Sequence, residues 1–306
     1  MKYYAIIDAG SNSFRLLVKE VDENGVSDTV IKEKSMVRLA EGMEKDGFLQ
    51  ENAMKRAEDA LIDFKKRTED FSDIEWKLIG TAAIRNAKNG QDFLKRVKAA
   101  IGLEMEVISG EKEAYYNYLA VTTSLKVESG IIVDTGGASC EIIVIENNKL
   151  KHLTSLPFGA VTLTEAFFKD DNRSGDALFR GTMYIEEKLK EVEWFMEGVN
   201  LPIYATGGSN RCLAKVYRNR LREQNNLLAL HGLTMTKKEV YSIFSDILSK
   251  DKNERKQIRG LSKERSDIII GGLLPVITII KMLDSPKLIV SEQGLREGVL
   301  LEQLGS

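Results

Sequence analysis

The chain has 306 residues, with 44 Lys and Arg against 46 Asp and Glu for a net charge of −2. That length exceeds one ordinary core and fits two domains of roughly 150 residues each, while the balanced charge excludes a global pull toward nucleic acid or an anionic membrane. Two cysteines, Cys140 and Cys212, and two histidines, His152 and His231, lie outside any metal-ligand spacing, so the sequence reads as a reduced, cytoplasmic protein without structural zinc.

In chain order, one lysine precedes a short apolar run broken by Asp8, unlike a signal peptide. Residues 3–8, 14–21 and 26–33 are expected to be three antiparallel strands, with a turn over 22–25. Met54, Ala57, Leu61 and Phe64 follow helical spacing within a charged stretch, which predicts a surface helix over 51–69. A strand at 76–80 enters Thr81-Ala-Ala-Ile-Arg85; a helix over 92–100, a strand at 105–108 and a helix from Gly110 through Tyr118 follow. The order is βββαβαβα. The second half repeats it, with strands at 130–134, 141–146 and 150–155, a helix over 176–196, a strand at 203–205 and a helix from the Thr206-Gly-Gly-Ser209 turn through Tyr217. Helices over 237–249 and 262–283, a strand at 288–290 and a helix over 295–304 complete the chain. The apolar stretch 268–280 contains Gly271, Gly272 and Pro275 and is shorter than the roughly 20 residues that span a bilayer, so it reads as a buried helix and no membrane association is expected. With no low-complexity linker, the junction is placed near 126–129. The domains are then expected over 1–126 and 127–294, with the last helix, about 295–306, a candidate to complete the first.

One stretch recurs. Aligning Asp8 with Asp134 sets IIDAGSNSFRLLV (6–18) against IVDTGGASCEIIV (132–144), with Asp, Gly and Ser coinciding at 8/134, 10/136 and 13/139. Each copy reads as strand, small-residue turn, strand, with an acidic residue closing the first strand. Small residues let backbone N–H groups face an anion without side chains in the way, and hydroxyls add donors. Gly10, Ser11, Asn12 and Ser13, together with Gly136, Gly137, Ala138 and Ser139, are therefore candidate phosphate-binding residues, although two ordinary hairpin turns would carry similar residues. Asp8, Asp134 and Glu141 supply hard oxygens able to hold Mg²⁺ beside phosphate, and a cation is expected because carboxylates next to a polyanion are otherwise unfavourable.

Two such halves resemble the actin, sugar kinase and heat-shock ATPase superfamily: α/β, two duplicated ribonuclease H-like domains, each a five-stranded mixed sheet with flanking helices, and an active site in the interdomain cleft. More specifically, IDAGSNSFRLLV, GTAAIRNA (80–87), EVISGEKEA (106–114), VDTGGASCE (133–141) and SEQGLREGVLLE (291–302), in that order, are together similar to the exopolyphosphatase and guanosine pentaphosphate phosphohydrolase family. The chain resembles its short two-domain form.

The resemblance implies a hydrolase that removes a terminal phosphoryl group from inorganic polyphosphate or guanosine pentaphosphate, with water as acceptor and a divalent cation as cofactor. It implies Glu113, directly before the alanine of its motif, as the catalytic base. Many relatives carry another glutamate where this chain has Lys112. Arg85 is a candidate catalytic residue that would bond a phosphate oxygen; a surface arginine paired to a carboxylate is the other reading. Gly207, Gly208 and Ser209 stand where nucleotide-using relatives place an adenosine motif. Arg211 and Lys215 open a basic run, with Arg218, Arg220 and Arg222, that would suit a long polyanion or be a solvated helix face. Relatives usually have glycine at Ala138 and threonine at Cys140, departures that would lower activity or shift substrate preference. A sensor that binds guanosine tetraphosphate or polyphosphate, and an ATP-dependent small-molecule kinase, are alternatives. No nucleic-acid motif is present, and a homodimer is expected only because two-fold association is the commonest assembly.

Overall fold

The computed structural model describes residues 2–23, 27–222 and 228–305. The expected 22–25 turn and the start of the expected strand at 26 lie partly outside the described residues, as does the side chain of Arg222. By packing, the chain divides into one unit of Met1–Tyr116 with Leu295–Ser306 and a second of Asn117–Gly294. The division falls inside a helix, upstream of the 126/127 junction read from the sequence.

In the first unit, β1 (Lys2–Ala9), β2 (Phe14–Val21) and β3 (Ser27–Ser35) form an antiparallel meander. α1 (Glu51–Lys66) buries Ala53, Met54, Ala57, Ala60, Leu61 and Phe64 on one face, the stripe its helical spacing predicts. β4 (Ile74–Gly80) runs parallel to β1, then α2 (Ala82–Asn86) and α3 (Gly90–Ile101) lead to β5 (Met105–Val107), parallel to β4. The strand order is β3-β2-β1-β4-β5. β1 is therefore central, and its run Ala5, Ile6, Ile7 is buried, as expected for a strand covered on both faces. α4 (Gly110–Ser124) carries the chain out of the unit.

The second unit repeats the plan with β6 (Gly130–Thr135), β7 (Cys140–Glu146) and β8 (Lys149–Leu156) as the meander. Then come α5 (Ala160–Phe167), α6 (Gly175–Lys190), β9 (Ile203–Gly207), α7 (Gly208–Arg222), β10 (Thr234–Thr236), α8 (Lys237–Ser249), α9 (Lys252–Arg255), α10 (Ile269–Met282) and β11 (Lys287–Val290). Strand order β10-β11-β9-β6-β7-β8 matches the first sheet strand for strand, β6 standing where β1 does, with β10 added at the edge. The duplicated ribonuclease H-like, actin-like plan holds, but the second sheet has six strands where five were expected. β10 is three residues long and exists through its antiparallel pairing with β11, so no local pattern announces it.

α10 is buried along nearly its whole length, as its composition implies. Among the described residues no helix is long and apolar enough to cross a membrane. α11 (Leu295–Gln303) returns to the first unit, where the Arg296 guanidinium donates to the Leu16 carbonyl at 3.3 Å.

Candidate phosphate-binding site

In the first unit the turn between β1 and β2 is held by its carbonyls. The Ser11 carbonyl accepts from the Ala40 N–H and the Asn12 carbonyl from the Arg38 N–H, each at 2.9 Å. Ser11 Oγ accepts from the Ala83 N–H at 3.2 Å, which ties the turn to the start of α2. Ser11, Asn12 and Ser13 are buried, and the Asn12 amide has neither its oxygen nor its nitrogen paired among the described residues. A buried amide with both ends unmatched is uncommon in a finished fold and is consistent with a place for a ligand. Asp8 closes β1 opposite Arg15 of β2, whose guanidinium lies 3.8 Å from its carboxylate.

α2 carries Arg85 to Glu113. The Arg85 guanidinium donates to the Ile108 carbonyl at 2.9 Å and lies 3.5 Å from the Glu113 carboxylate. Glu113, 8% exposed, sits in the first turn of α4, where Ser109 acts as the cap: its Oγ accepts from the Lys112 N–H at 3.1 Å and its carbonyl from the Glu113 N–H at 3.0 Å. Carboxylates are favoured at this end of a helix. Turn, α2, Arg85 and Glu113 thus form one connected set. The Lys112 ammonium lies over the Tyr115 and Tyr116 rings and pairs with Glu302 of α11.

In the second unit the turn of Gly136, Gly137, Ala138 and Ser139 is held in a similar manner by the start of α5. The Gly136 carbonyl accepts from the Ala160 N–H at 2.9 Å and the Gly137 carbonyl from the Val161 N–H at 2.8 Å. Gly159 makes this approach possible, since a Cβ there would lie 2.6 Å from the Gly137 carbonyl carbon and 2.8 Å from the Ala138 nitrogen. Both turns therefore have consecutive carbonyls drawn into the protein, a backbone arrangement that leaves amide N–H groups for an anion.

Asp134 and Glu141 face each other across β6 and β7, so their side chains share one face of the sheet. Like charges in that position repel, and a cation between them would relieve the repulsion. Glu141 is 0% exposed and accepts from Ser155 Oγ at 2.8 Å. Asp134 accepts from the Asn117 amide at 2.9 Å. Gly207, at φ 89, passes beside it: a Cβ there would lie 2.5 Å from Asp134 Oδ1. Hard carboxylate oxygens of this kind suit a small divalent cation. Among the described residues no three His, Cys, Asp or Glu side chains gather into a metal cluster. Mg²⁺ needs no such cluster, because it keeps several waters and takes one or two carboxylates together with substrate phosphate.

The remaining candidates have mixed surroundings. The guanidinium of buried Arg265 lies where a side chain on Gly208 would be, and Ser209 packs against Gly272 of α10. Arg211 donates to the Glu292 carbonyl at 3.5 Å, Arg220 pairs with Asp246 at 2.7 Å, and Lys215 is exposed. Burial and the neighbouring Glu141 and Asp134 charges push the Cys140 thiol well up. It is an inert core thiol.

Sequence reasoning missed Asn117, Ser155, Gly159 and Arg265. Each acts through partners distant in the chain, and only Asn117 carries a local signal, a polar residue one helical turn after Glu113.

A guanosine-5'-triphosphate,3'-diphosphate pyrophosphatase from Vibrio parahaemolyticus is 32% identical over 308 residues, covering 98% of this chain. The chain spans 59% of that relative's length. Among solved structures, an exopolyphosphatase from Cytophaga hutchinsonii matches with TM-score 0.91 at 25% identity, over 99% of this chain and 98% of that one. The Ppx/GppA family member from Aquifex aeolicus matches with TM-score 0.78 at 32% identity, over 99% and 97%. Residues 17–306 match the Ppx/GppA phosphatase family along nearly the whole chain, the second turn and Glu113 included and the first turn lying just ahead of the matched span, and the protein belongs to that family.

Proposed function

We propose that the protein is a metal-assisted phosphohydrolase that releases orthophosphate from the terminal phosphoanhydride of inorganic polyphosphate, of guanosine pentaphosphate, or of both. The observation that carries this reading is the repeated turn, with carbonyls drawn inward and a carboxylate closing the strand before it, in each of two duplicated units. The turns bind phosphate oxygens through N–H and hydroxyl donors. Asp134 and Glu141, with Asp8 as a further candidate, hold Mg²⁺, which supplies charge neutralisation on the phosphoryl oxygens when bound. Glu113 takes the proton from the attacking water, and Arg85 moves between the Glu113 carboxylate and a phosphate oxygen.

Both substrate classes follow from relatives, one named for guanosine pentaphosphate and one for polyphosphate. Both present the same terminal group, so both are proposed. The kinase alternative gains nothing from the turn after β9, because Arg265 occupies the space over Gly208.

The deciding experiment is phosphate release from long-chain polyphosphate and from guanosine pentaphosphate, side by side, with Mg²⁺ titrated. Glu113→Gln should lower kcat about 10²- to 10⁴-fold on whichever substrate is turned over, the usual contribution of a general base. Undiminished turnover in this variant removes Glu113 from its role. Tight binding of guanosine tetraphosphate or polyphosphate with no hydrolysis at saturating Mg²⁺ would replace the enzyme reading by a sensor.

A further inference from the structure

We infer that the basic face formed by α7 and residues 258–263 binds the body of an inorganic polyphosphate chain, behind the terminal group. This rests on the polyphosphate half of the proposed function.

Charge is unevenly placed along the chain. α7 carries Arg211, Lys215, Arg218, Arg220 and Arg222 with no acid, and residues 250–265 carry seven Lys and Arg against three Asp and Glu, in a protein of net charge −2. Folding brings the two segments together. A Cβ on Gly260 would lie 2.5 Å from the Lys215 carbonyl carbon, and Arg265 reaches Gly208, so 258–265 runs antiparallel along α7. Asn219, Arg220, Lys250, Ile258 and Arg259 are among the residues lining a cavity of about 300 Å³ there. The two acids at its wall are engaged: Asp246 pairs with Arg220 at 2.7 Å and with Lys250, and Glu254 accepts from the Asp251 N–H at 2.7 Å.

Lys215 and Arg259 are exposed and Arg218 is half-buried, and among the described residues none of the three forms an ion pair. Arg56, Arg67 and Arg96 of the first unit, by contrast, each pair with carboxylates. Like charges three and four residues apart, as at Arg211, Lys215 and Arg218, destabilise a helix. The helix dipole favours cations in the last turn of α7, but that does not account for Lys215 or for Arg259 on the neighbouring segment. An anion lying along both segments does. A polyanion without bases fits best, because nucleic acids bind such faces through stacking aromatics as well as charge. The one aromatic residue in either segment, Tyr217, donates its hydroxyl to Glu239 of α8. α7 begins directly after Gly207, which packs against Asp134 beside the second turn, and at 1.5 Å per residue Lys215 and Arg218 stand about 10 and 15 Å farther along it. Only a substrate with many phosphates in a row extends from the turn past all three cations.

The test measures binding of long-chain polyphosphate to the full chain by titration calorimetry in EDTA, with tripolyphosphate and single-stranded oligouridylate as comparison ligands. Lys215→Gln, Arg218→Gln and Arg259→Gln together should weaken long-chain binding about tenfold, the effect of three exposed ion pairs lost, and flatten its salt dependence, without lowering Tm. In steady-state assays KM for long-chain polyphosphate should rise by the same factor relative to KM for tripolyphosphate. Arg259→Gln alone, with a loss of about twofold, serves if the triple variant does not fold. Equal losses on the long chain and on tripolyphosphate, or no loss on either, overturn the inference. Tighter binding of oligouridylate than of polyphosphate also overturns it and gives the face to nucleic acid. A wild-type protein that binds the long chain through these cations yet releases no phosphate sinks the hydrolase reading alone.

Discussion

Gly207 shows how much one position decides. Its φ of 89 lies where L side chains are strained, and any Cβ would press on Asp134 Oδ1. Gly207→Ala should therefore cost about 1–3 kcal/mol of stability, by the usual cost of such backbone strain. It should also impair phosphate release beyond what the lost stability explains, which urea unfolding and kinetics on the same sample would separate. Arg85 illustrates a different point. The sequence left two roles for it, a phosphate contact or an ion pair, and the structure has the ion pair, with Glu113 itself as the partner. Burial makes Cys140 a matter of core packing more than of reactivity.

At the scale of elements, α11 is fixed to α4 by a small polar set. Glu302 pairs with the Lys112 ammonium and accepts from the Tyr116 hydroxyl at 2.7 Å, while Gly298 lets the helix approach the Tyr116 carbonyl closely. The hydrogen bond from Lys112, then that from Tyr116, lowers the Glu302 carboxyl below its ordinary value. A depressed folded pKa contributes stability that is complete above the unfolded carboxylate value of about 4.3 and is lost as pH falls through the folded value. Glu302→Gln should thus cost about 1 kcal/mol at neutral pH, since both ionic partners are more than a third exposed. The Tm difference between variant and wild type should shrink as pH is lowered from 7 toward 3. This contact is what Lys112 does here.

At the scale of the whole molecule, the first unit is discontinuous in sequence: the chain leaves it within α4 and re-enters at Leu295. α11 supplies packing against β1 and β2, including the buried Arg296, so the unit is incomplete without this helix. Ending the chain at Gly294 should expose β1 and β4 to amide hydrogen exchange while β6 and β9 keep their protection. Equal loss in both sheets would mean that the two units do not unfold separately.

Much of this was written locally. The alternation of aliphatic strand, small-residue turn and aliphatic strand, with an aspartate at its end, depends on neighbours within a few residues, so both copies of the turn could be placed before any contact was known. Helical spacing located α1 on the same grounds. α5 escaped because its start is capped by carbonyls of the 136–137 turn, and β10 because it exists only as a partner of β11. The sequence by itself determined the duplicated plan, the two turns, and the acids beside them. Only the tertiary structure decided that turn carbonyls face inward, that Arg85 reaches Glu113, and that Asn117 holds Asp134. Each of those is a hydrogen bond or ion pair between residues that meet only after the sheets form, and no local periodicity encodes the pairing.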